Sequence, residues 1–205
     1  MTIGILGFQG DIEENVYAIC SALKKLNIEA VVDIIQYSRQ INNIDGLLLP
    51  GGESTVISSL ISIQKDMRES IKQRISDGMP AMGTCAGMIM LAKRAYDRTI
   101  GETKQQLLGN LDIIVERNAF GRQNDSFETD IKVPFIGDEL FKGVFIRAPV
   151  VTSVGSGVEV LSELDGKIVA VKQNNIIGTA FHPELANDDR FHGKFINLII
   201  DNKKK

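Results

Sequence analysis

Histidine and cysteine are scarce in this sequence, with two of each among 205 residues. Cys20 and Cys85 are too few for a disulfide framework and lack paired metal-site spacing. With no C-x-x-C and only His182 and His192, a zinc site has little to build on, so no metal and no cofactor is expected. Positive charge is also in short supply. The formal net charge is -3 and the only basic run is the tail Lys203 to Lys205, which excludes the basic face that a nucleic-acid partner requires. No apolar run approaches the roughly 20 residues that span a bilayer. Met1 to Phe8 are apolar but lack a basic leader and a small-residue cleavage site. The expectation is a soluble, cytoplasmic protein without a membrane partner.

What is present suits a globular chain. Apolar residues make up 43% and charged residues 24%, enough for a sizeable core under a charged surface. No internal repeat, Pro- or Ser-rich linker or low-complexity tract interrupts the chain, so residues 1–205 are read as a single domain. Short apolar runs at Ile3 to Phe8, Ala30 to Ile35, Leu47 to Leu49 and Met79 to Gly83 alternate with helical patterns from Ile12 to Leu26 and after Ser54. That alternation means an α/β fold. Asp11 with Glu14 three residues later reads as a capping box at the start of the first helix. Cys20 falls on the flank of that helix as a small residue.

The second half carries more β signals, at Leu111 to Glu116, Val144 to Ile146, Val158 to Leu161, Lys167 to Val171 and Ile176 to Phe181, before a last helix from Asp188 to Ile200. Segment 97–110 is polar and reads as a surface excursion. His192, among Asp188, Asp189, Arg190 and Lys194, reads as a solvated surface residue.

Chemistry concentrates in two places. Gly83-Thr84-Cys85-Ala86-Gly87 follows a strand and opens into Met88 to Lys93, a good helix former. This is a thiol version of the G-x-S-x-G elbow, in which glycines permit a sharp strand-to-helix turn and the helix N-terminus favours thiolate. A buried structural cysteine beside a glycine turn fits the same five residues. The second place is Phe181-His182-Pro183-Glu184, after the strand Ile176 to Ala180. Residues two apart in an extended segment point the same way, so Glu184 can orient the His182 imidazole. Cys85, His182 and Glu184 then supply the nucleophile, proton shuttle and orienting group of acyl transfer. Taken alone, His182 also fits a capped core histidine.

The elbow, the H-P-E at 182–184 and L-P-G-G-E-S-T at 49–55 together resemble the class I (triad) glutamine amidotransferases. L-G-F-Q-G at 6–10, V-E-R-N-A-F-G-R-Q at 115–123, D-S-F-E at 125–128 and F-I-R-A-P at 145–149 are similar to one branch, the glutaminase subunits of pyridoxal 5'-phosphate synthase. The resemblance implies a flavodoxin-like or Rossmann-like fold, with a mostly parallel central sheet and helices on both faces. It implies hydrolysis of L-glutamine to glutamate and ammonia, and a separate barrel synthase subunit as partner. Carried over, Gly51, Gly52, Glu53, Arg117, Ile146 and Arg147 contact glutamine, a guanidinium forking its α-carboxylate. Ala86 and Gly52 supply oxyanion donors, with Gln9 beside them facing the synthase. Arg122 and Glu128 fall in the same blocks. Many members carry a histidine near the position of Asn15, and the stretch from Asp97 to Leu108 is longer here. A glutaminase subunit of another synthase, such as imidazole glycerol phosphate synthase, would share the triad, and a non-catalytic regulatory protein on the same fold would need a triad member misplaced.

Overall fold

The first half folds into β1 (Thr2–Leu6), α1 (Ile12–Leu26), β2 (Val31–Ile35), α2 (Ser38–Ile41), β3 (Gly46–Leu49), α3 (Ser54–Ile63), α4 (Met67–Ser76), β4 (Ala81–Thr84) and α5 (Ala86–Leu91). The second half supplies β5 (Ala92–Asp97), β6 (Gly101–Glu102), β7 (Leu111–Arg117), β8 (Ser126–Ile131), β9 (Phe141–Ile146), β10 (Val150–Val154), β11 (Glu159–Leu164), β12 (Lys167–Gln173), β13 (Ile176–Thr179) and α6 (Arg190–Lys203). This computed structural model describes residues 1–97, 99–120 and 126–204, so Arg122 lies outside the described residues.

Among the described residues, eleven strands form one sheet in the order β2-β1-β3-β4-β13-β12-β10-β7-β5-β6, with β11 joined to β12. From β2 to β13 every pairing is parallel, and β12 and β10 then continue the sheet in antiparallel fashion. All four residues of β3, Gly-Leu-Leu-Leu, are buried, as an unbroken apolar run requires when helices cover both faces. Gly46 faces one layer, since a Cβ there would meet Phe195 and Ile199 of α6. Leu49 is three residues on, in register with Gly83, and points to the opposite face, where α5 packs. This is the doubly wound arrangement expected. β8 and β9 form a separate antiparallel ribbon.

Three local expectations change. The helix that opens at Ala86 stops at Leu91 instead of running to Lys93, because Ala92–Asp97 pairs in parallel with β7 and the strand ladder overrides helix propensity. Segment 97–110 begins as a surface hairpin but does not stay out. Leu108 is fully buried, its N–H donates to the Met90 carbonyl at 2.8 Å, and the Gln106 N–H donates to Ser58 Oγ of α3 at 2.9 Å. His192 is not solvated. It has 0% exposure at the packed contact of α1 with α6, where its Nε2 lies 3.3 Å from Asn15 Oδ1. Asp188 and Asp189 precede α6, and Arg190 and Lys194 on it are half-buried, while His192 itself sits on the inner stripe with Phe191, Phe195, Ile196 and Ile199.

Candidate active site

Because β1, β3, β4 and β13 are neighbours and parallel, the segments leaving their carboxyl ends meet at one edge of the sheet, the usual ligand crevice of such folds. β1 delivers Gln9 and Asp11, β3 the Gly51-Gly52-Glu53 turn, β4 Cys85 and β13 His182. From the antiparallel side, β7 ends in Arg117 and β9 in Ile146, with Arg147 next. A cavity of about 220 Å³ lies between them, lined in part by Gln9, Gly52, Glu53, Cys85, Arg147 and His182.

Cys85 occupies φ 47°, ψ -103°, a conformation that costs a non-glycine residue of order 1–3 kcal/mol and persists only where the surroundings impose it. The surroundings do so here. Its N–H donates to the Thr179 carbonyl at 2.8 Å, and both flanking glycines sit in contacts that no side chain could share. A Cβ on Gly83 would lie 2.5 Å from the Gly87 carbonyl carbon, and one on Gly87 would overlap the Leu49 carbonyl oxygen. The strain aims Sγ into the cavity, 3.9 Å from the Ile146 carbonyl.

His182 follows Phe181, which is fully buried and packs on Phe141, Phe145 and Phe191 at centroid distances of 5.6, 5.5 and 5.5 Å. The His182 N–H donates to the Val144 carbonyl at 2.9 Å, which anchors the residue to β9. Its Nδ1 lies 2.9 Å from Glu184 Oε1. The route to that contact differs from the extended one expected: Pro183–Leu185 form a single 3₁₀ turn with Pro183 at its first position. The turn still returns the carboxylate to the ring.

A second carboxylate reaches the same nitrogen. Asp11 Oδ2 is 3.0 Å from His182 Nδ1, so Asp11 makes no side-chain cap for α1 and the expected capping box does not form. Burial alone would depress the imidazolium, but hydrogen bonds with Asp11, Cys85 and Glu184 outweigh it, and His182 is pushed up from 6.5 to about 12. With Nδ1 given to carboxylates, Nε2 is the nitrogen left for Cys85.

The remaining expected residues gather at the same edge. Glu53 and Arg117 are paired with each other at 2.6 Å, and Glu53 Oε1 also accepts from Thr55 Oγ1 at 2.9 Å. Gln9 Oε1 accepts the Glu53 N–H at 2.8 Å and thus lies over the glycine turn. A Cβ on Gly51 would strike the His182 ring, which accounts for glycine there. Arg147 lines the cavity from a strained φ of 43°, and its guanidinium makes no hydrogen bond or ion pair among the described residues. Ala86 is buried directly after Cys85. Glu128 stands apart on β8, 3.5 Å from Lys142, and Cys20 is exposed on α1. Asp11 is the residue that sequence reasoning missed, because Asp before a helix reads as a cap. Asp11, His182 and Glu184 also have the composition of a metal cluster, but both carboxylates converge on one ring nitrogen at hydrogen-bonding distance, an arrangement that holds an N–H.

The sequence model of the SNO glutamine amidotransferase family matches residues 5–201. This chain belongs to that family, and it is a glutamine amidotransferase. Within it, the chain is 47% identical over 202 residues to pyridoxal 5'-phosphate synthase subunit PdxT of Nitrosopumilus maritimus, covering 98% of both. It is 46% identical to the protein of the same name from Streptomyces avermitilis, covering 98% of this chain and 95% of that one. A crystal structure of a glutamine amidotransferase superposes with a TM-score of 0.82 at 41% identity, covering 96% of this chain and 98% of the other.

Proposed function

We propose that this chain is the glutaminase subunit of a pyridoxal 5'-phosphate synthase: it hydrolyses L-glutamine at Cys85 and passes the ammonia to a separate barrel synthase subunit. The observation that carries the chemistry is the meeting of a strained Cys85, His182 and Glu184 at the carboxyl ends of adjacent parallel strands. The partner rests on the names borne by the relatives.

Glutamine enters with its amino-acid end among charges of the right sign. The uncommitted Arg147 guanidinium takes the α-carboxylate, assisted by Arg117, and Glu53 accepts from the α-ammonium. Ligand cavities run from about 300 Å³ upward for drug-sized molecules, so one of about 220 Å³ suits a single free amino acid. The Cys85 thiolate attacks the side-chain amide carbon. The oxyanion of the tetrahedral intermediate is stabilised by N–H donors at Ala86 and the Gly51–Gly52 turn. His182 Nε2–H protonates the departing nitrogen, ammonia leaves and a thioester remains. The now neutral ring removes a proton from water, which attacks the thioester, and glutamate is released. Glu184 keeps the ring oriented through both steps.

Gln9 supplies the regulatory element of this reading. Its side chain holds the Glu53 N–H, so a partner that moves Gln9 re-aims the turn that must receive the oxyanion. A free, exposed Cys20 and a thiolate nucleophile suit a reducing cytoplasm. The test is glutamate release by the chain alone, with a purified pyridoxal 5'-phosphate synthase barrel subunit, and with an unrelated synthase. Stimulation by the first partner only is expected. Equal stimulation by both, or full activity alone, would overturn the partner and the switch.

A further inference from the structure

His182 is gripped by two carboxylates where a triad needs one. An imidazole presents a single hydrogen at Nδ1, yet Glu184 Oε1 at 2.9 Å and Asp11 Oδ2 at 3.0 Å both address it. Their settings differ. The Glu184 side chain has 0% exposure and its second oxygen has no partner among the described residues, whereas the Asp11 side chain is 33% exposed and lines the cavity.

Asp11 is also held in place from behind. Its carbonyl accepts from Asn15 Nδ2 at 2.7 Å, and Asn15 in turn is addressed by the buried His192. A side chain on Gly51 would come within 2.7 Å of the Asp11 carboxylate, so the glycine keeps open the path by which Asp11 reaches the ring. The same short loop touches the other end of the site, since Gln9, two residues earlier, holds the glycine turn.

Building on the glutaminase reading, we propose that Asp11 is a positioning residue: its carboxylate, alongside Glu184, holds the His182 ring against Cys85 and stabilises the imidazolium that donates a proton to the leaving ammonia. Of the groups that favour the charged ring, Asp11 comes first, ahead of Cys85 and Glu184. Across the cavity stand Glu53, Arg117 and Arg147; the first two neutralise each other, and Arg147 disfavours the cation. Loss of the Asp11 charge therefore lowers the pH at which His182 gives up its proton. Because Asp11 and Glu184 back one another, loss of both costs more than the product of the single losses.

The test uses two readouts on Asp11→Asn, which is isosteric and uncharged, with circular dichroism to verify folding. The first is the pH dependence of Cys85 alkylation by iodoacetamide, which needs neither glutamine nor a partner. The second is glutamine hydrolysis in complex with the barrel synthase subunit. We expect the alkaline limb of the alkylation profile to move to lower pH by about one unit or more, kcat to fall roughly tenfold, and KM to change less than about twofold. Asp11→Glu should restore part of the profile, and Asp11→Asn with Glu184→Gln should lose more than the two single factors multiplied. An unmoved profile overturns the proposal, as does a fall in kcat with the profile intact, which marks a loop that merely supports the fold. Failure of the wild-type complex to hydrolyse glutamine would instead overturn the glutaminase reading, and the alkylation profile would still decide the role of Asp11.

Discussion

The two histidines of this chain are both buried, at 4% and 0% exposure, and their surroundings drive them in opposite directions. His182, at the sheet edge, has carboxylates on one nitrogen and a thiol for the other, and it is raised to about 12. His192, between α1 and α6, is lowered to about 4 chiefly by burial, which the charges of Asp189 and Asp188 offset only in part. Among the described residues its one hydrogen-bonding contact is Asn15, whose Oδ1 must accept, so Nε2 carries the hydrogen and Nδ1 has no partner there. One ring is built to carry charge and the other to stay neutral. Burial alone therefore says nothing about a histidine's role; the number and sign of its partners decide it.

The largest way to break this contrast is to remove the charged ring. His182→Asn should cut glutamine hydrolysis by about 10³–10⁴-fold, close to Cys85→Ala, while Glu184→Gln should cost less because orientation contributes less than the base itself. Steady-state assays with the barrel subunit present check this, and equal, modest losses in all three would contradict the assigned roles. A smaller effect is expected for the group proposed to hold the substrate's carboxylate. Arg147→Ala should raise KM about 10- to 100-fold with kcat within a few-fold, since a contact made equally in the ground and transition states affects binding; an unchanged KM would remove Arg147 from the substrate site.

The neutral ring is sharpened by acid. A histidine whose folded value lies below its unfolded one gives stability that is complete above about 6.5 and is lost as pH falls toward about 4. Between pH 7 and pH 5 that loss amounts to roughly 2 kcal/mol. Urea midpoints should fall accordingly, and His192→Gln, which keeps a donor for Asn15 but takes no proton, should flatten the dependence. A wild-type profile that is already flat would contradict the neutral assignment. The smallest effect belongs to Cys20: on an exposed helix flank, Cys20→Ser should shift stability by less than about 0.5 kcal/mol and leave hydrolysis untouched.

Much of the candidate site, as a set of residues that line one cavity, was legible because they occur in short local patterns. The elbow glycines, the H-P-E and the glycine turn each announce a backbone constraint, and the alternation of apolar runs with helical stretches places all three after strands. What the sequence hid was tertiary. Asp11 is a good cap residue by local rules, and only the parallel order β1-β3-β4-β13, which brings the carboxyl ends of these strands to one sheet edge, turns it toward His182. His192 sits among charges, but its helical phase matches Phe195, Ile196 and Ile199, so periodicity carried the correct answer where composition misled. β8 went unseen because Ser-Phe-Glu-Thr-Asp-Ile, with two acidic residues, owes its extended form to pairing with β9. The β-branched Val-Val-Thr-Ser-Val of β10 carried a strand signal that was not read; it pairs with β7 and β12.

The central claim is that Cys85 is a glutamine-directed nucleophile served by His182, and it is tested most directly by labelling with 6-diazo-5-oxo-norleucine, a glutamine-like electrophile, followed by peptide mass mapping. The account predicts one adduct, on Cys85, slowed by excess glutamine, abolished in His182→Asn and absent from Cys20. An adduct on Cys20, or labelling of Cys85 at an undiminished rate in His182→Asn, would contradict it.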